Sequence, residues 1–116
     1  MDTFNVREYL KKDSFDIDEY LMMIGREELL SREEEQTLVE KAQQGDEEAM
    51  NTLLCANARF VTSLVRQYQK NGSTIQNLLK VAMCALQNVV MECDVHSEES
   101  LIKYAVPQMR DALEKM

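Results

Sequence analysis

The sequence predicts an all-α protein, a compact helical bundle of about five helices. Its 116 residues include one proline and three glycines, and 45% of them are hydrophobic, a composition that favours helices over strands and turns. Apolar residues recur at helical spacing in several stretches, each wide enough to form one buried stripe. The length suits one domain, which we place at residues 14–116, preceded by an N-terminal arm at residues 1–13.

The N-terminal segment contains a short internal repeat, because residues 4–10 resemble residues 15–21. The second copy continues into more apolar residues and predicts an amphipathic helix that ends at Gly25. The first copy stops at the polar residues 11–13. Two interpretations stay open: two unrelated amphipathic turns, or a first copy that occupies the docking site of the second, in the same chain or in a partner.

A capping box starts the next helix. Ser31 is followed three residues later by Glu34, so each side chain can bond the other's backbone amide. We expect this helix to continue to about Gln44, with Gly45 as its stop. The acidic run at residues 33–35 is interpreted as a solvated first turn.

The strongest helix signal covers residues 46–72. Asp46 is the predicted N-cap, and residues 71–72, Asn-Gly, can supply the left-handed residue that ends a helix. The face opposite the apolar stripe carries polar side chains, namely Arg59, Ser63, Arg66 and Lys70.

Two further helices follow. Ser73 and Gln76 form a second predicted capping box, which opens a long helix whose apolar stripe contains Ile75, Leu78, Leu79, Ala82, Leu86, Val89 and Val90. Residues 93–99 are predicted to form a polar loop before a last helix that starts near Leu101. Pro107 lies inside that helix, where it lacks an N–H and clashes with the preceding turn, so we expect a kink or a helix restart there.

Charge is distributed unevenly along the chain. The net charge is -8, yet no Asp or Glu occurs between Ala49 and Met91. The acidic total argues against indiscriminate nucleic-acid binding, whereas the acid-free centre can still present a positive face.

Several classes of function lack the residues that they need. The three cysteines do not form a disulfide framework, and Cys55 and Cys84 are predicted to lie in the core. His96 and Cys93 are too few ligands for zinc, and no cofactor motif is present. A catalytic constellation is also missing, so we do not expect an enzyme. The longest apolar run, residues 81–86, is too short to cross a membrane, and the cytoplasm is the expected compartment.

Four motifs occur in order at residues 20–35, 45–49, 56–61 and 67–72, with the sequences YLMMIGREELLSREEE, GDEEA, ANARFV and QYQKNG. Together they resemble bacterial primary sigma factors of the sigma-70 family. The sequences IGRE (residues 24–27) and RFV (residues 59–61) are most similar to those of the Bacteroides group. The resemblance covers about residues 16–113. It implies the segment preceding domain two and most of domain two, which docks on RNA polymerase core and opens the promoter at the minus-ten element. Nothing corresponds to the domains that read the minus-thirty-five element.

The resemblance implies a polymerase-binding set on the helix after Ser73: Asn77, Lys80, Val81, Met83 and Gln87. Where the family has an acid, then Gln-Glu-Gly, then Asn, this chain has Asn77, Lys80-Val81-Ala82 and Met83. Two acids are lost and a lysine is gained, which weakens or reverses the attraction to a basic partner.

The resemblance also implies a DNA-binding set: Asn57, Arg59, Lys103, Tyr104 and Arg110. Tyr104 can stack on an unpaired base, a contact worth about 1–3 kcal/mol. Residues 107–108, Pro-Gln, stand in place of the family's two tryptophans, and Asp111 replaces a base-reading glutamine. For Asn57 a structural amide, and for Arg59 a solvated surface charge, remain the alternatives.

Two hypotheses follow from the resemblance. In the first, the chain is a sigma-like transcription factor whose partners are RNA polymerase core and single-stranded promoter DNA. In the second, it is a sigma mimic that has lost promoter melting and binds another regulatory protein or the polymerase. Neither requires a cofactor, a metal or a membrane.

Overall fold

The structure, a computed structural model, describes residues 4–25, 29–68, 74–96 and 99–116, and it confirms the all-α prediction. Its helices are α1 (Val6–Leu10), α2 (Ile17–Ile24), α3 (Arg32–Gln43), α4 (Glu47–Arg66), α5 (Ile75–Glu92) and α6 (Leu101–Glu114). Helices α3, α4 and α5 pack on one another, and α6 packs mainly on α5. The short helix α1 lies on α4 and α5, and α2 lies on α4.

The capping signals at Ser31, Gly45 and Asp46 are confirmed. Ser31 Oγ accepts from the Glu34 amide at 3.1 Å, and Glu34 Oε1 accepts from the Ser31 amide at 3.0 Å. Asp46 Oδ1 accepts from the Ala49 amide at 3.0 Å and so caps α4. Gly45 has a φ of +100°, in the left-handed region, directly after α3. These backbone groups would lack partners within their helices, and the caps satisfy them.

Two predicted helix boundaries were wrong. Helix α4 ends at Arg66. After it, the amides of Gln67 and Tyr68 donate hydrogen bonds to the carbonyls three residues before them. The predicted end at residues 71–72 lies outside the described residues, as do Lys70 and Ser73. The N-cap of α5 is Thr74, whose hydroxyl accepts from the Asn77 amide at 3.1 Å.

Helix α6 runs unbroken through Pro107, so the expected restart does not occur. Proline removes the hydrogen bond to the carbonyl four residues earlier, which belongs to Lys103. Both residues lie on the exposed face of α6. Water can therefore satisfy that carbonyl, and the packed face of the helix keeps its hydrogen bonds.

The core contains most of the predicted apolar stripes of α4 and α5. Phe60 was predicted to lie on the stripe of α4, and this was wrong, because it is 49% exposed. Cys55 is buried, as predicted, whereas Cys84 is exposed and its predicted place in the core was wrong. At ~100° per residue, Cys84 lies about 200° around α5 from the buried Ala82.

The aromatic residues of the two repeat copies form one cluster. Tyr9 stacks on Tyr20 with ring centroids 6.1 Å apart, and Phe4 and Phe15 contact both tyrosines. Each copy occupies its own position, since α1 packs on α4 and α5 while α2 packs on α4. Within this chain, the first copy therefore does not occupy the docking site of the second.

Two side chains of α3 hold the connection between α5 and α6. Glu35 Oε1 accepts from the Leu101 amide at 2.8 Å, at the start of α6. Gln43 Nε2 donates to the carbonyls of Val90 and Cys93 at 2.9 and 3.0 Å, at the end of α5. The sequence predicted that the whole acidic run is solvated. This was wrong for Glu35, which is half-buried and caps another helix.

We expect Glu35→Ala to lower the free energy of unfolding by about 1 kcal/mol, because loss of an N-cap typically costs that much. The cap on α6 is supplied across the fold, since Ser100 makes no side-chain cap bond of its own. Denaturant unfolding measures the change, and amide exchange at Leu101 locates it. Glu40→Ala, at an exposed position of the same helix, is the matched control. Equal exchange at Leu101 in both variants would refute the assigned cap.

Candidate functional site

The residues predicted to bind polymerase lie on α5 with different exposures. Asn77 and Lys80 are exposed, and Val81 and Gln87 are half-buried. Met83 is only 2% exposed. Its side chain is therefore part of a surface floor and does not project toward a partner.

A groove runs between α1 and α5, with a volume of about 450 Å³. We call it the α1–α5 groove; its lining residues are Arg7, Leu10, Lys11, Lys80, Met83, Cys84 and Gln87. Three residues of the predicted polymerase-binding set thus share a surface with the N-terminal arm. Arg7 and Lys11 were absent from the sequence-based prediction, because nothing local indicates that α1 lies beside α5.

Side-chain amides fix α1 at both ends. At its start, Asn51 Oδ1 accepts from the Val6 amide at 3.1 Å, and Asn51 Nδ2 donates to the Phe4 carbonyl at 2.8 Å. At its end, Gln76 Nε2 donates to the carbonyls of Leu10 and Lys12, both at 2.8 Å. Gln76 therefore does not complete the capping box that the sequence predicted.

Asn51 could have been recognised from its position in the sequence. It precedes Leu54, Ala58 and Val61 at helical spacing, so it lies on the buried stripe of α4. A buried amide requires hydrogen-bond partners. The spacing alone does not say that the partner is the arm.

The cations of the α1–α5 groove differ in their pairing. Arg7 Nη2 lies 2.7 Å from Glu47 Oε2, and Lys11 Nζ lies 3.7 Å from Glu8 Oε1. Over the described ranges, Lys80 has no carboxylate within ion-pair distance. The lining itself contains three cations and no acid. This surface is therefore locally positive on a chain whose net charge is -8.

The predicted DNA-binding residues are spread over α4 and α6. Asn57 is half-buried and donates from Nδ2 to the Leu53 carbonyl at 2.8 Å, which supports its structural alternative. Arg59 is exposed in the middle of α4. On α6, Lys103 and Tyr104 lie near the first turn, and Arg110 follows about 9 Å further along the axis.

Arg110 is joined to the end of α4. Its Nη1 donates to Tyr68 Oη at 3.2 Å, and Tyr68 Oη lies 3.4 Å from Glu114 Oε1. Arg110 thus takes part in a surface hydrogen-bond chain at the opposite end of α6 from Tyr104.

Tyr104 borders an acidic cleft. Its side chain is 38% exposed, and the cleft of about 240 Å³ beside it is lined by Val89, Glu92, Cys93, Asp94, Tyr104 and Gln108. Burial raises the pKa of the Cys93 thiol, and the carboxylates of Glu35 and Asp94 add to this effect. The lining of this cleft includes two carboxylates and no cation, which is locally unfavourable for a phosphate. Arg32 lines the adjoining cavity together with Asp94 and Tyr104.

Residues 4–25, 29–68, 74–96 and 99–116 also bear on metal binding and on membrane insertion. Their His, Cys, Asp and Glu side chains form no group of three or more that could hold a metal ion. None of the helices in these ranges is both long and apolar enough to cross a membrane.

Comparisons with known proteins identify relatives of this chain. The family model described as sigma-70 factor, region 1.2, matches residues 17–48. The RNA polymerase sigma factor SigA of Listeria monocytogenes is 32% identical over 94 residues, which cover 81% of this chain and 25% of the relative. SigA of Listeria innocua matches with the same values. The chain thus spans about a quarter of the length of these curated relatives.

Both relatives are named as sigma factors, which supports the prediction that this chain is not an enzyme. The resemblance to the Bacteroides group in particular stays a prediction.

We expect Gln76→Ala to release the end of α1 and to increase alkylation of Cys55. The thiol of Cys55 lies 3.4 Å from the Phe4 carbonyl and is buried under the arm. Loss of two hydrogen bonds, each worth about 0.5–1.5 kcal/mol, should raise the alkylation rate roughly tenfold.

Asn88→Ala, at an exposed position of α5, is the control for this experiment. Denaturant unfolding of both variants separates local release of the arm from loss of global stability. Unchanged alkylation of Cys55 in Gln76→Ala would show that these hydrogen bonds do not hold α1.

Proposed function

The chain belongs to the sigma-70 family in the segment that it shares with these relatives, and we propose that it acts in transcription initiation by binding RNA polymerase core. The proposed contact surface is the outer face of α5. The chain spans about a quarter of the relatives' length.

The relationship to SigA over most of this chain is the observation that supports the proposal. The match extends over 94 residues and includes more than the region 1.2 segment at residues 17–48. The structure adds that Asn77 and Lys80 lie exposed on one helix and that Val81 and Gln87 are partly accessible there. A partner can therefore reach this face without opening the core.

The charge of this face bears on how tightly polymerase binds. The resemblance implies that the family uses acids here against basic clamp helices. In this chain Lys80 and the neighbouring Arg7 and Lys11 make the same region positive. Like charges that face one another across an interface slow association and reduce affinity. We therefore propose a polymerase contact that depends less on the outer charges of α5 than the family's contact does.

A second candidate function is a regulatory protein-interaction module that has lost promoter melting. The acidic cleft beside Tyr104 favours it, because Glu92 and Asp94 line this cleft together with Tyr104 and oppose the approach of a phosphate. Asp111 adds a further carboxylate on α6, paired with Lys115 at 2.9 Å. In this alternative the partner is the polymerase or another regulatory protein, and not DNA.

Co-purification with core RNA polymerase tests the main proposal. We expect the chain to be retained by core polymerase. The variant Asn77→Asp/Lys80→Gln/Val81→Glu should be retained more strongly, because it restores acids opposite a basic partner. Its effect should diminish at high salt, where exposed charges are screened.

A matched control variant is Lys41→Gln, which removes one exposed cation from α3. Failure of both the unaltered chain and the triple variant to bind polymerase would refute the main proposal. Equal retention of the two would leave binding intact and refute only the charge argument.

Binding of a labelled minus-ten non-template oligonucleotide tests the second candidate. We expect no sequence-selective binding by the unaltered chain, and we expect Glu92→Gln/Asp94→Asn to raise affinity a few-fold, because a charge pair about 4 Å apart is worth about 1 kcal/mol in water. Selective binding by the unaltered chain that is abolished by Tyr104→Ala, and kept by Tyr104→Phe, would contradict this candidate.

A further inference from the structure

We propose that the α1–α5 groove is a docking site for an acidic, amphipathic segment of a partner protein. The carboxylates of that segment would lie against the basic rim, and its apolar side chains would lie on the floor. This inference goes beyond the proposed polymerase contact. Both use Lys80, Met83 and Gln87, so an acidic segment and the polymerase would compete for this face of α5.

The groove combines an apolar floor with a basic rim. Leu10 and Met83 are each 2% exposed and form the floor. Arg7, Lys11 and Lys80 stand around them. The volume of about 450 Å³ lies within the range of roughly 300–1,000 Å³ that is typical of binding clefts. An occupant must therefore bring both apolar and negatively charged groups.

Charge complementarity favours an acidic occupant. Glu47 and Glu8, which pair with Arg7 and Lys11, are 77% and 69% exposed at their side chains and do not line the groove. An incoming carboxylate can displace such exposed pairs at small cost, because surface ion pairs contribute little. Lys80 has no acidic partner to displace among the described residues.

The chemistry of the groove argues against two other occupants. A basic helix would place its cations against Lys80 and Lys11, which is unfavourable. A nucleic acid strand would find no aromatic ring in the lining for base stacking.

The groove is formed before any partner binds. Asn51 and Gln76 fix the two ends of α1 through backbone hydrogen bonds, so both walls are held in place. Binding to a pre-formed site avoids the cost of ordering a segment on association. A short acidic peptide can therefore serve as a probe.

The exposed thiol of Cys84 gives a local readout, because it lines the groove. The probe is a synthetic amphipathic peptide of leucine and glutamate, with the matched leucine–lysine peptide and a single-stranded oligothymidine as comparisons. We expect the glutamate peptide to slow alkylation of Cys84 in a saturable manner and to leave Cys93 unchanged. The other two probes should protect neither cysteine.

Charge reversal locates the binding. Lys80→Glu should weaken protection by the glutamate peptide at least tenfold, and Lys11→Glu should act in the same direction. Lys41→Glu makes the same change at an exposed position of α3 and should leave protection unaltered. If Lys80→Glu fails to fold, Lys80→Met removes the charge alone and should still weaken protection.

The proposal is overturned if the lysine peptide or the oligothymidine protects Cys84 as well as the glutamate peptide does. It is also overturned if Lys80→Glu and Lys41→Glu give equal protection. Retention by core polymerase is a separate measurement. Its failure would refute the polymerase contact and would not change the expected protection of Cys84 by the glutamate peptide.

Discussion

The connection between α5 and α6 depends on two side chains from α3. Glu35 accepts from the first amide of α6, and Gln43 donates to two carbonyls at the end of α5. These backbone groups have no partners in their own helices, so α3 supplies what the connection lacks. The position of Tyr104 relative to Glu92 and Asp94 is set by this connection. Helix α3 lies within residues 17–48, which the region 1.2 family model matches, so the segment that identifies the family also holds the surface beside Tyr104.

Side chains from other helices also hold α1 in place through hydrogen bonds to its backbone. A helix of five residues is far below the ~12–15 residues at which an isolated helix becomes even marginally stable in water. Its burial and the amides of Asn51 and Gln76 stabilise it instead. Side chains from longer helices thus position the short helix α1 and the start of α6, which has no side-chain cap of its own. Because α1 forms one wall of the α1–α5 groove, these two amides also determine the shape of a candidate binding surface.

Local signals in the sequence predicted local structure. Ser31 and Asp46 cap their helices as expected, because the partners of such caps lie within three residues. The predictions for Glu35 and Gln76 were wrong because their hydrogen-bond partners are 64 to 66 residues away in the sequence. The spacing rules for helix caps apply only to residues a few positions apart. Helical phase explains the wrong prediction at Cys84. This residue is close in sequence to the apolar stripe of α5 but lies on another side of the helix, where it is exposed. The resemblance predicted which residues of α5 and α6 contact partners. Only the fold shows that α1 lies beside the set on α5 and that carboxylates lie beside Tyr104 on α6.

The distribution of charge separates stability from partner choice in this protein. The core of α4 and α5 and the caps from α3 use apolar contacts and hydrogen bonds that do not involve Lys80. Exposed charges on α5 contribute little to folding, since surface ion pairs are typically worth about 0–1 kcal/mol. The same charges strongly affect association, because complementary fields steer partners and like charges exclude them. Substitutions on the outer face of α5 can therefore change the partner from basic to acidic while the sigma-like fold is retained. The arm strengthens this effect, since Arg7 and Lys11 are brought to that face by hydrogen bonds to the α1 backbone, which are independent of the charges themselves.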